Sequence, residues 1–249
     1  MTRYAGDHII KAPCCNKNFL TPTYSSVNLT AYENWTDGRA FGSLFNGGSG
    51  LRLCTCGEVF LLKDAETIGF VPKNKPQAPV DWQRKSISWW HRLWGFPTTM
   101  EILRNFDIRS EEEIKKSQEN LPPISKHVDD DELETLLEKT HKPEIELKLR
   151  RLYWQYLNDE YRSAPNASMT ESQPIFKPSV IQIRNMQLLA RLINDSDEVD
   201  IVELIEIYRE LGDFAKAEEL LPLIPNGYED EATLQKNLLL KKDRAPAII

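Results

Sequence analysis

Apolar and polar positions follow two rhythms along this chain, and the change falls near residue 98. Between residues 8 and 70 the apolar and β-branched residues come in short runs, at 8–11, 24–29, 39–45, 51–53 and 59–62. Turn residues separate them: Asn16, Pro22, Asp37 with Gly38, and NGGSG at 46–50. Runs of this length, bounded by Gly, Pro and Asn, predict short strands. Asp-Gly favours a two-residue type I′ hairpin, because that turn needs positive φ at both central positions. NGGSG lacks the Lys-Ser/Thr helix start of a phosphate loop and reads as a flexible hairpin tip. Residues 71–81 (VPKNKPQAPVD) hold three prolines and no period, which predicts an extended linker. The next stretch, 81–96 (DWQRKSISWWHRLWGF), carries four of the six tryptophans. Ile87, Trp90 and Trp94 fall on a helical stripe there, and the region of Gly95 and Pro97 stops it.

From about residue 98 the pattern takes the period of a helix. Helices are expected at 107–118 and at 129–139 (DDDELETLLEK), whose leading carboxylates suit a helix N-terminus. The segment 143–161 places Ile145, Leu149, Leu152, Tyr153 and Tyr156 on one face, with Pro143 in the first turn. Residues 162–178 form a polar, proline-punctuated loop. Further helices are expected at about 179–194, 198–211, 214–222 and 228–242. The fold class is therefore α+β: a small antiparallel β domain at 1–70, a linker with a Trp-rich helix at 71–97, and a mostly α-helical domain at 98–249.

Composition refines this picture. With 41% apolar and 28% charged residues the chain is of ordinary globular type. Charge follows the same division. Residues 1–100 hold 11 Lys/Arg and 7 Asp/Glu, a net of +4, while residues 101–249 hold 20 and 31, a net of −11. The acidic part repels a phosphate backbone, so any nucleic-acid contact is confined to the basic head. The N-terminal residues lack the apolar core of a secretory signal, and no apolar run approaches 18 residues. The expected location is the cytoplasm, where cysteines serve as reduced thiols or metal ligands before disulfides.

Four cysteines carry the clearest candidate chemistry. Cys14 with Cys15, and Cys54 with Cys56, form two pairs separated by 38 residues, each near a β-turn. That is the layout of a zinc ribbon, in which two hairpin knuckles hold one tetrahedral ion. A small β domain with little core gains much of its stability from such a staple. The usual knuckle is C-x-x-C-G, and here Ala12 and Leu53 stand where its first cysteines belong. Adjacent cysteines on extended chain point apart and are poorly placed to share an ion. Three states are thus open: zinc on Cys14, Cys15, Cys54 and Cys56; some thiols packed as small apolar side chains; or a Cys14–Cys54 or Cys15–Cys56 disulfide. His8 is a candidate replacement ligand.

Two other features bear on function. In segment 82–94, Arg84, Lys85 and Arg92 interleave with tryptophans, as in surfaces that stack bases, but an inter-domain packing seam accounts for them more simply. In 201–221 (IVELIEIYRELGDFAKAEELL), Leu204, Tyr208, Leu211, Phe214, Ala217 and Leu221 keep helical spacing across a turn at Gly212 and Asp213. Its Tyr208, Gly212, Asp213, Phe214 and Ala217 resemble the core of a tetratricopeptide repeat, with Ile205 where that repeat has a glycine. The resemblance implies a helical bundle that docks other proteins. No P-loop, dinucleotide fingerprint, H-E-x-x-H or G-x-S-x-G motif occurs. Asp37 and Arg39 are a candidate polar site, although a hairpin turn explains them more simply. The paired cysteines around W-T-D-G-R, the W-W-x-R-L-W segment and L-G-D-F-x-K-A together resemble uncharacterised bacterial proteins with two C-P-x-C knuckles flanking that turn. This likeness implies a zinc-ribbon-like head and no particular activity.

The expected function is a non-enzymatic protein-protein interaction module with an unidentified protein partner and a zinc-ribbon-like head that holds zinc or survives without it. The alternatives are nucleic-acid binding through 82–94 and an enzyme using a metal or a thiol.

Overall fold

The computed structural model of the protein describes residues 3–26, 33–41, 50–72, 121–139, 141–162, 176–193 and 198–249. The expected linker beyond residue 72, the Trp-rich helix at 81–96 and the helix at 107–118 lie outside them. Small antiparallel sheets occupy the N-terminal part and six helices follow, so the α+β class holds. Two compact units are present, and neither is continuous in sequence. One comprises Met1–Val27 and Asp64–Ser125, the other Asn28–Lys63 and Lys126–Ile249.

In the first unit β1 (Arg3–Lys11) lies between β2 (Asn18–Ser26) and β7 (Glu66–Pro72), antiparallel to both. The β1–β2 register pairs Ile10 with Phe19 and Ile9 with Leu20. Ile10, Phe19 and Leu20 are buried. Pro22, expected in a turn, instead sits within β2 opposite Asp7. A proline is tolerated there because β2 is the outer strand, where a missing N–H breaks no ladder. Strand β7 was not marked by the sequence pattern, since Glu66, Thr67, Ile68, Gly69 and Phe70 give too little alternation. It pairs Gly69 with Ile9, and a Cβ on Gly69 would come within 3.3 Å of the Ile9 side chain.

The second unit starts with two short hairpins. The first joins β3 (Glu33–Asn34) to β4 (Ala40–Phe41), the second β5 (Leu51–Leu53) to β6 (Val59–Leu61). Strand β8 (Lys126–His127) extends the latter on its β5 side. The helices are α1 (Leu133–Leu137), α2 (Pro143–Arg162), α3 (Val180–Leu192), α4 (Glu198–Leu211), α5 (Phe214–Leu220) and α6 (Glu229–Leu240). Helix α3 starts where a capping box forms: the Ser179 hydroxyl accepts from the Gln182 N–H, and the Gln182 side chain accepts from the Ser179 N–H. Gly212, at φ 83°, ends α4, and the Asp213 side chain then caps α5 through the Lys216 N–H.

Helix α2 buries two faces. Its Ile145, Leu149 and Tyr153 pack with Leu51, Val59 and Leu61 of the hairpin and with Leu133 and Leu136 of α1. Its Trp154 packs with Met186, Leu189, Leu204 and Ile207 of α3 and α4. Tyr156, expected on the apolar face, is 38% exposed, because the second buried face runs through Trp154 and Asn158 instead. Ala217 is fully buried beside Ile201, Ile205 and Leu239, the small residue that lets α5 approach α4. Among the described residues no helix is long and apolar enough to cross a membrane.

Candidate metal centre

The first cysteine pair sits in the connection between β1 and β2. Residues 13–15 form a turn closed by the Asn16 N–H on the Ala12 carbonyl (3.0 Å) and the Ala12 N–H on the Lys17 carbonyl (2.8 Å). Asn16 takes φ 59°, a left-handed conformation that asparagine tolerates better than most residues. The expectation that Cys14 and Cys15 diverge assumed extended chain. In a turn of helical sense successive side chains are separated by about 100° instead of about 180°, so neighbours can serve one centre.

The second pair sits at the tip of the β5–β6 hairpin. The Cys54 N–H donates to the Glu58 carbonyl (2.9 Å) and the Gly57 N–H to the Cys54 carbonyl (2.9 Å), with Gly57 at φ 86°. This is a three-residue loop with a left-handed glycine at its last position. It carries Cys54 and Cys56 one residue apart, where the C-x-x-C-G knuckle uses a loop one residue longer.

The sulfurs of Cys14, Cys15, Cys54 and Cys56 all lie within 4.8 Å of one another. A zinc ion bound by four thiolates at about 2.3 Å has sulfurs about 3.8 Å apart at the corners of its tetrahedron. The four thiols are therefore close enough to hold a metal ion. No disulfide joins any of them. Cys54 is buried, while Cys14 and Cys56 are exposed. Soft sulfur donors in this number suit zinc, copper(I) or an iron–sulfur centre and exclude the hard cations magnesium and calcium. His8 is not in the cluster. Its ring lies 5.1 Å from that of Phe70, the residue opposite it on β7.

A second concentration of polar groups surrounds the W-T-D-G-R turn. Instead of a two-residue type I′ turn, the chain forms a three-residue loop. The Trp35 N–H donates to the Arg39 carbonyl and the Gly38 N–H to the Trp35 carbonyl, and only Gly38 has positive φ (77°). Asp37 is buried. Its carboxylate accepts from Arg162 (2.6 Å), from Asn158 (3.0 Å) and from the Arg39 N–H (3.1 Å). The Thr36 hydroxyl donates to Glu206 (2.6 Å), which also accepts from Arg209 and from Gln235 (2.7 Å). Trp154 and Asn158 donate to Glu210 at 2.7 and 3.1 Å. The backbone of 247–249 runs beside the turn, with Thr36 and Ala247 exchanging hydrogen bonds.

Asp37, Glu206 and Glu210 thus place three carboxyl groups around two buried guanidiniums, Arg162 and Arg209. Burial raises the pKa of Asp37 although Arg162 opposes it. Burial raises Glu210 further, and the Glu206 and Asp37 carboxylates add to the shift. A proton on Glu210 leaves two anions facing two cations, which is the arrangement a low-dielectric interior favours. Asp37 and Arg39 thus belong to a polar site, the alternative that a hairpin turn had explained more simply. Nothing local marks them, because every partner of the Asp37 side chain except Arg39 lies more than 100 residues away.

Compared with models of protein families, with curated proteins and with solved structures, the chain matches none.

Proposed function

We propose that the protein is a non-catalytic interaction protein whose head is stabilised by one zinc ion on Cys14, Cys15, Cys54 and Cys56. In this reading the cysteine-bearing β segments supply a zinc-ribbon-like centre and the helices form a tetratricopeptide-like bundle that docks another protein. The approach of the four sulfurs within 4.8 Å carries the metal part. The ion neutralises thiolate charge and cross-links chain segments that the sequence holds far apart, which is the role of a closed four-ligand zinc site with no position left for substrate. The docking part rests on the α4–α5 hairpin, with Ala217 at its crossing, and on the acidic charge of 101–249.

Elemental analysis of protein purified without added metal tests the first part. One zinc per chain is expected, with cobalt replacement giving the visible absorption of a tetrahedral thiolate site and Cys54→Ser abolishing both. Protein that is folded, metal-free and unable to take up cobalt overturns it. Cross-linking in the native cell tests the second part: a reproducible heterologous partner, lost when α4–α5 surface residues are changed, is expected. Recovery of this chain alone overturns that reading.

A further inference from the structure

The W-T-D-G-R turn forms one wall of an open pocket of about 530 Å³ within the second unit, lined also by residues of α2 and α4, by the start of α6 and by Ile249. Its volume is in the range that encloses a small organic group. Trp35 and Ile249 provide apolar lining; Arg151, Glu203, Asp37 and Glu231 provide charge. The charges are not equivalent. Arg151 and Glu203 neutralise one another through paired hydrogen bonds of 2.6 and 2.5 Å. The Asp37 carboxylate is held by Arg162 and Asn158. Glu231 lines the same space and has no ion-pair partner among the described residues. The pocket therefore combines apolar lining with one carboxylate side chain that has no ion-pair partner among the described residues. Residues 28–63 and 126–249, which make up the second unit, hold 19 Lys/Arg and 28 Asp/Glu, a net of −9, which attracts cations.

We propose that this pocket binds a primary alkylammonium group, its carbon chain along Trp35 and Ile249 and its ammonium at Glu231. The ammonium comes either from a free aliphatic amine or from a lysine side chain of a docked protein. The Trp35 indole N–H is a buried donor with no acceptor among the described residues. Only the lysine source rests on the docking role proposed above. The metal reading involves other residues, so each can fail while the other stands.

Calorimetric titration of the full chain with butane-1,4-diamine, with a blocked lysine tripeptide, and with butan-1-ol and the N-acetyl-lysine tripeptide as neutral counterparts tests the proposal. Saturable binding of the diamine or the lysine peptide is expected, weakened about tenfold or more by Glu231→Gln, as loss of a charged hydrogen bond implies. Thermal unfolding of the ligand-free variant shows that it is folded. Binding of the diamine assigns a free amine, and binding of the peptide alone assigns a partner lysine. Neutral counterparts that bind equally well, charged ones that do not saturate, or affinity indifferent to Glu231→Gln overturn the proposal.

Discussion

The turns at 35–39 (WTDGR) and 54–58 (CTCGE) have the same backbone and opposite chemistry. Each closes a three-residue loop between paired strands with two hydrogen bonds of 2.9 Å, and each ends in a left-handed glycine, Gly38 at φ 77° and Gly57 at φ 86°. Each has threonine at its second position. The third position separates them: Asp37 is buried among guanidinium and amide donors, while Cys56 is exposed beside three other thiols. A buried carboxylate needs fixed partners in the protein, since an uncompensated charge there is prohibitively costly. A group of four thiols, two of them exposed, is instead a donor set for a soft metal ion. One hairpin design thus anchors the chain to its own interior and offers a ligand set to an ion.

Breaking the anchored turn has the largest expected effect. Asp37→Ala removes the fully buried carboxylate on which Arg162, Asn158 and the Arg39 N–H converge, leaving Arg162 only the half-buried Asp159, and is expected to cost about 3–5 kcal/mol in urea unfolding. Cys56→Ala in metal-free protein is expected to change stability by less than about 0.5 kcal/mol, as an exposed substitution does. Metal reverses that ranking for the second turn. Zinc at a thousandfold excess over its Kd is expected to add about 4 kcal/mol, removed by a chelator, with the shift absent in Cys54→Ser. Next in size, Gly38→Ala and Gly57→Ala are each expected to cost about 1–2 kcal/mol, since both force an L-residue into the left-handed region. Similar values in the two turns would confirm the shared backbone; a cost confined to one would refute it.

The most diagnostic effect, small at low pH, belongs to Glu210. Its folded pKa lies well above the ordinary 4.5, so the native state retains a proton that the unfolded chain releases. Stability then falls as pH rises from about 4.5 through the raised value. Glu210→Gln, neutral and nearly isosteric, is expected to change stability at pH 4.5 by less than about 1 kcal/mol and to flatten that decline. An unchanged pH slope in chemical unfolding would place the proton elsewhere.

What the sequence made legible was local. Pro143, and Gly212 with Asp213, mark helix ends by chemistry confined to a few neighbours, and the helices they bound start and stop within a residue or two of expectation. The cysteine pairs were recognisable as a possible ligand set, and their shifted spacing was also visible. The turn conformation that lets Cys14 and Cys15 cooperate was not, because adjacency alone does not distinguish a turn from extended chain. The second buried face of α2 stayed hidden for another reason. Asn158 and Gln155 read as solvent-facing in any periodicity count, and they are buried because they hydrogen-bond a distant aspartate. Charge pairing across long stretches of chain leaves no periodic trace.

The separation of those partners also has a temporal meaning. Arg162 follows Asp37 by 125 positions and Glu206 follows Thr36 by 170. At roughly 5–20 residues per second, a ribosome takes about 6–25 s to reach Arg162 after making Asp37. Throughout that interval the turn exists without its anchor, and its aspartate titrates as an ordinary solvated acid. The second unit cannot be completed in the order in which it is synthesised: its first hairpins wait for its helices. Slow, non-local closure follows from the wiring of this one carboxylate.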